Sequence, residues 1–165
     1  SACSPACAIA IAERKREKQA QQMAAEKRRE TRQRLESMKG IPELIREADK
    51  AFCAFVRARD AGKPCICCGR SSSGWSRGGD WDAGHYRSRG AASHLRYHED
   101  NCHSQLKQCN RRAFDVASYR RNLIKRIGLF RVESLENDNA PHKWTREELM
   151  AIRRYYTAKR KEIEE

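Results

Sequence analysis

The chain has 165 residues, with 35 Lys and Arg against 22 Asp and Glu, eight Cys and a formal net charge of +13. That length bounds it to one domain with at most an appended arm, and an apolar content of 39% implies a small core that needs a metal or disulfide staple. No apolar run is long enough to span a membrane and no secretory leader is legible, so the positive excess points to a polyanion, most simply nucleic acid, unless it serves solubility alone.

Residues 1–11 read SACSPACAIAI. The segment opens on Ser1, so an earlier start is expected. Cys3-Ser-Pro-Ala-Cys7 has the spacing of one zinc-ribbon knuckle entering a helix, and no second cysteine pair precedes it. The ribbon is either cut short here or the two thiols are idle. Residues 12–40 read as a basic helical arm, and 12–39 carry ten Lys/Arg against five Asp/Glu. Apolar positions there are sparse and hold no heptad, which argues against a coiled coil. Such an arm either tracks DNA or is a solvated linker.

Residues 41–165 form the remaining domain. Pro42 suits the first turn of a helix. Leu44, Ala48, Phe52, Phe55 and Val56 then share one face, and Cys53 beside them reads as a buried structural thiol. Gly62 and Pro64 end this helix. Cys65-x-x-Cys68 is a turn spacing that presents two thiolates to one tetrahedral ion, and 70–80 form a Ser/Gly loop. Trp81–Arg87 and Leu95–His98 read as short β-like runs, and the stretch from Asn101 to about Ala113 as helix-compatible. Asp115 suits the cap of a helix carrying Tyr119, Leu123 and Ile127 and ended by Gly128. Thr145-x-x-Glu148 is a capping box opening a last helix, with Leu149, Ile152 and Tyr156 as its buried stripe.

The chemistry is concentrated in 64–113. In order this segment offers Cys65-x-x-Cys68, Asp82-Ala-Gly-His85-Tyr86-Arg87, Asn101-Cys-His103-Ser-Gln105 and Cys109-Asn110. Two short strands and a helix, with His on the first strand and Asn on the helix, make a ββα-metal layout. The fold class expected is therefore α+β and mostly helical: a small zinc-stapled ββα-metal unit flanked by helices, with a charged N-terminal helical arm. A His in such a hairpin can deprotonate a water aligned with a phosphorus, while a hard divalent ion stabilises the leaving oxygen. Taken alone, His85 reads as a hydrogen-bonded structural histidine, and Asp82 as a turn carboxylate. Beside the Cys pair, the DAGHY context favours catalysis for His85.

These motifs resemble the NinG (Rap) recombination proteins of lambdoid phages, which are His-Me-finger (HNH-type) nucleases. The likeness runs through PC-x-x-CG, WDAGHYR, N-x-H-x-Q and CN, and includes the CSPxC knuckle, Tyr119, LIKRIG and Trp144-Thr145. It implies an endonuclease acting on branched recombination intermediates, Holliday junctions and D-loops, in a bacterial host cytoplasm and encoded by a phage or prophage. Carried over, His85 is the general base, Asn101 orients it, Asp82 and Asn110 hold Mg2+ or Mn2+, and Cys65, Cys68 and Cys109 hold a structural zinc. Two positions depart from the family pattern. Leu106 stands where a fourth zinc cysteine is usual, leaving Cys102, His103 or Cys67 as substitutes. Arg112 stands where a metal-binding His is usual, and arginine cannot coordinate a cation.

Arg87, Arg89, Arg96, Arg111, Arg112, Arg120 and Arg121 crowd the finger in sequence, and 85–126 carry ten Lys/Arg against three Asp/Glu. Guanidinium forks suit phosphate oxygens, so these residues are the expected DNA path. Trp75 and Trp81 are candidates for stacking on an unpaired base, Trp81 more readily as core. The expected partner is branched DNA, with a second copy of the chain and other phage recombination proteins as further candidates. The alternative is a zinc-containing DNA-binding protein that lost cleavage, as Leu106 and Arg112 suggest. A basic protein–protein adaptor is the third.

Overall fold

The computed structural model describes residues 4–71, 79–112 and 114–165. Cys3 and Trp75, and the side chain of Cys7, lie outside what is described. The chain divides into two compact units, 1–40 and 41–165. The first is a helix, α1, Pro5–Met38. Every side chain described along its first thirty residues is exposed, because charges fall on all faces and leave no stripe to bury.

The second unit is mostly helical, around one two-stranded sheet. Helix α2 spans Ile41–Arg59, with Glu43 in its first turn and Arg57 and Arg59 in its last, matching the helix dipole at both ends. Strand β1, Trp81–His85, pairs antiparallel with β2, Cys102–Leu106, with Trp81 opposite Leu106 and His85 opposite Cys102. Helix α3, Lys107–Arg111, follows β2 at once. Helices α4, Val116–Ile127, and α5, Leu129–Asn137, meet at Gly128, whose φ of 88° ends one and starts the other. Asp115 caps α4 by accepting from Ala117 and Ser118 N–H. The last helix, α6, Arg146–Glu164, opens on the Thr145–Glu148 capping box.

The sheet sits between two helical layers. On one side Leu44, Ala48, Phe52, Phe55 and Val56 of α2 pack with Leu149 and Tyr156 of α6, and Tyr97 and Cys102 join them. Helices α2 and α6 run side by side in the same direction, since Glu47 meets Arg153, Phe52 meets Tyr156 and Phe55 meets Lys159. On the other side Tyr119 and Leu123 of α4 and Val132 and Leu135 of α5 cover Ile66, Ala92 and Leu95. The Tyr119 hydroxyl reaches through to donate to the Gly84 carbonyl of β1 at 2.8 Å. A side chain at Gly84 would not fit, because a Cβ there would lie 1.9 Å from the Gln105 Oε1 of the fully buried side chain opposite.

Three expectations change. Leu95–His98 is not a strand: Ser93–Leu95 and Glu99–Asn101 are single 3-10 turns, and Leu95 and Tyr97 point inward as core. The second strand is 102–106, inside the stretch read as helical, so the helix shrinks to Lys107–Arg111. Helix α5, between Gly128 and the last helix, is an element for which the sequence carries no expectation.

Candidate functional site

Three thiols converge first. Cys65 and Cys68 lie on the turn after α2, Cys109 projects from α3, and the three sulfurs lie within 4.8 Å of one another. The turn is closed by Gly69 N–H donating to the Cys65 carbonyl at 2.8 Å, with Gly69 at a φ of 73°. The Leu106 backbone N–H points at the Cys65 sulfur at 3.3 Å, as suits a thiolate acceptor. Burial pushes the Cys68 thiol up, but the Arg70 guanidinium and N–H and the neighbouring thiols outweigh it and hold Cys68 at about 7. The Cys109 thiol, raised by burial and by Cys68 and Cys65, stands at about 12. Soft sulfur donors at this separation fit a tetrahedral Zn2+, which would deprotonate all three.

None of the expected fourth ligands joins them. Cys102 is buried in the other core, beside His85. Cys67 turns its thiol toward the Asp115 carbonyl at 3.8 Å. His103 lies in a polar knot, its Nδ1 3.1 Å from the Arg59 guanidinium and 3.5 Å from Asp60, its Nε2 3.1 Å from the Asp100 carbonyl. That carbonyl can only accept, so Nε2 carries the proton, and the Nδ1 lone pair is taken by Arg59. The extended strand is the cause: Leu106 at its C-terminal end packs against the thiols, while Cys102 and His103 sit at its other end and point to opposite faces.

The second convergence is a cleft of about 600 Å³ lined by Asp82, His85, Asn110, Cys53 and the arginines Arg57, Arg89 and Arg111, among others. His85 Nε2 lies 2.9 Å from the Arg96 carbonyl. A carbonyl only accepts, so Nε2 is the protonated nitrogen and Nδ1 keeps its lone pair, with the Cys102 sulfur 3.7 Å away. Burial pulls the His85 pKa below its ordinary value, against the opposing pull of the Arg96 carbonyl. The imidazole is thus held neutral and basic on Nδ1 at neutral pH.

Asn101 makes no hydrogen bond to His85 among those of the described residues. It is fully buried, accepts from Arg87 N–H at 2.8 Å, and donates to the carbonyls of Arg87 and Leu95 at 3.0 and 3.1 Å. It therefore closes the loop between the strands just where the Arg96 carbonyl is presented to His85. The charged support for that loop comes from Asp49 of α2, which accepts from two guanidinium nitrogens of Arg96 at 2.7 and 2.6 Å.

Asp82 and Asn110 do meet, with the amide donating to Asp82 Oδ2 at 3.1 Å. Arg111 also holds Asp82, at 2.9 Å and 3.2 Å to its two oxygens. Burial pushes the Asp82 carboxyl up, but Arg111, Asn110 and Lys107 outweigh it and leave it below its ordinary value. One carboxylate and one amide, completed by phosphate and water oxygens, are within what Mg2+ ordinarily accepts. Arg111 would have to release both Asp82 oxygens first.

The seven expected DNA-binding arginines separate. Arg87 donates to the Leu135 carbonyl at 2.8 Å and to Asp138 and Asn139, tying down the end of α5. Arg89 and Arg96 are held by Asp49, and Arg120 by Glu136. Arg112 and Arg121 are exposed and free of carboxylates among the described residues. One cation missed in the sequence is Arg57, exposed and facing the cleft. Its signal was present: Arg46, Lys50, Cys53 and Arg57 recur at helical spacing on the polar side of α2. Cys53, expected to be buried, is half-exposed on the same wall.

No helix among the described residues is long and apolar enough to cross a membrane. No solved structure matches the chain. A family profile described as Bacteriophage Lambda NinG protein matches residues 1–165. Protein ninG of Salmonella phage P22 is 42% identical over 120 residues, 72% of this chain and 57% of that protein. Protein ninG of Escherichia phage lambda is also 42% identical over 120 residues, covering 56% of its length. The chain thus spans a little over half the length of the curated relatives it matches. With the profile covering every residue and this identity over most of its length, the chain belongs to the NinG family of phage proteins.

Proposed function

We propose that the 41–165 unit is a His-Me-finger endonuclease that cuts branched DNA in phage recombination. The observation that carries this reading is His85: its Nε2 is locked on the Arg96 carbonyl and its unprotonated Nδ1 faces only the weak thiol donor of Cys102, in one cleft with Asp82, Asn110 and three arginines. The order of two antiparallel strands and a short helix, with His85 on the first and Asn110 on the last, supports it. His85 Nδ1 would take a proton from water as that oxygen attacks phosphorus and the bond to the leaving ribose oxygen breaks. A divalent ion at Asp82 and Asn110, when bound, supplies charge stabilisation of the leaving oxygen. Arg57, which has no carboxylate partner among the described residues, would hold a phosphate oxygen, as would Arg111 once it releases Asp82, and the three thiols with zinc would keep α3 against the hairpin.

The test uses a four-way junction, a flap and a linear duplex, each with and without Mg2+ or Mn2+, beside His85→Ala. The expected outcome is a divalent-dependent product from branched substrates, reduced about 100-fold or more in His85→Ala. Binding without cleavage under every condition would overturn the nuclease reading. It would favour the second one, a DNA-binding protein that lost cleavage. That reading draws on a specific observation: both Asp82 oxygens are already taken by Arg111.

A further inference from the structure

Most of the arginines nearest the cleft are spent on structure, so the cations that hold the bulk of a nucleic acid lie elsewhere. The 41–165 unit has a groove of about 950 Å³ along α2 and α6. Its walls carry Lys50 and Arg57 of α2 and Arg153, Arg154, Arg160 and Lys161 of α6, against only Glu47 and Glu164. Arg153 is paired with Glu47 and Arg160 with Glu164. Lys50, Arg57, Arg154 and Lys161 are exposed and have no carboxylate partner among the described residues. The floor is Ala51, Ala54, Thr157 and Ala158, short side chains that let a backbone approach both helices.

We propose that this α2–α6 groove is the DNA-backbone track, and that it delivers the strand to His85. Three features of the groove point to a sugar-phosphate chain. Its unpaired charge is of one sign. Lys50 and Arg57 are seven residues apart on one helix face, as are Arg154 and Lys161, a separation of about 10 Å at 1.5 Å per residue. That matches about three base-pair steps of 3.4 Å along a duplex axis. Finally, Arg57 belongs to both concavities: it lines the groove and the His85 cleft, so a backbone lying in the groove runs without a break into the site. The delivery to His85 rests on the endonuclease reading; the track itself does not.

The test is DNA binding by the full chain without divalent ions, read as fluorescence anisotropy of a labelled four-way junction across a salt series. Arg154→Gln with Lys161→Gln removes the two free α6 cations outside the cleft lining. Lys125→Gln with Lys143→Gln removes equal charge from exposed positions off the groove. The α6 pair is expected to bind roughly tenfold more weakly and to flatten the slope of log affinity against log salt by about 2, with the control pair near the parent. Equal losses in both pairs, or an unchanged slope in the α6 pair, would overturn the track. If the α6 pair keeps its DNA slope but loses affinity for polyglutamate, the groove takes an acidic protein segment and the proposal falls. Cleavage is read separately with His85→Ala. A junction cut normally by the α6 pair at unchanged affinity defeats the track alone, and a track confirmed in a protein that never cuts defeats the nuclease alone.

Discussion

Asn101 holds the loop between the two strands from a fully buried position. Its amide satisfies one N–H and two carbonyls of the loop that carries Arg96. Asn101→Ala would leave the Arg87 N–H and carbonyl unpaired, the Leu95 carbonyl keeping the His98 N–H, and is expected to cost about 1–3 kcal/mol, read as a lower urea midpoint with unchanged slope. A variant that stays as stable as the parent would show that the loop finds other partners. His85 and His103 make a second prediction at this scale. Burial lowers both from an ordinary value of 6.5, with Arg89 and Arg96 facing His85 and Arg59 and Arg126 facing His103 on the same side of the balance. Asp49 and Asp60 oppose them. Between the lowered and the ordinary value the unfolded chain binds more protons, so stability rises with pH there. It is complete above about 6.5 and is lost as pH falls through the lowered values. The urea midpoint should therefore drop as pH falls below about 6.5, and His103→Gln should flatten that drop.

Asp60, one residue past α2, is the joint between elements. It is only 2% exposed, yet its carboxylate accepts from Arg59 at 2.9 Å, from Lys63 at 3.0 Å and from the Ser104 N–H of β2 at 3.0 Å. Arg126 of α4 lies 3.7 Å away, with its Nη1 buried and otherwise without a hydrogen bond. Burial pushes this carboxyl up, but the Arg59 guanidinium and the Ser104 N–H overwhelm that and hold it far below the carboxylate range. Asp60→Asn keeps the shape and removes the charge, stranding the Arg59 and Arg126 guanidinium groups. The expected loss is about 3–5 kcal/mol in urea unfolding, and a loss under about 1 kcal/mol would mean the arginines simply turn to solvent.

The same elements show what sequence could tell. Helices α2 and α6 were legible because a buried stripe and a capping box are local signals, written within one helix. Strand β2 was not: CHSQL has no β-branched residue, and it is a strand only because β1 and the Ile66 N–H pair with it across the fold. The run LRYH looked more like a strand, but its Leu95 and Tyr97 are core knobs on consecutive turns. The metal-side residues divided in the same way. Cys65 and Cys68 converge as their spacing suggested and Cys109 joins them as the family resemblance implied, while Cys102 and His103 lie elsewhere because β2 carries them.

For the whole molecule the question is whether so small a core holds without a metal. Cys65, Cys67 and Cys109, with Trp81 and Leu106 against them, form a cluster separate from the two helical cores. This cluster joins the 65–68 turn to α3, which has only five residues and cannot be stable alone. A zinc ion on the three thiols would close that joint and so fix Asn110 and Arg111 relative to β1. The chain is expected to retain one zinc per molecule, and Cys68→Ser to lose it together with several degrees of thermal midpoint. Among the described residues, no fourth side chain completes the sphere. Leu106 is already in contact with the thiols, and its N–H is spent on Cys65. Leu106→Cys should therefore offer a fourth thiolate and slow zinc loss to a competing chelator about tenfold or more, with a higher thermal midpoint. Equal zinc retention in parent and variant would show that the fourth position is already filled, by a donor outside the residues described or by one that moves when metal binds.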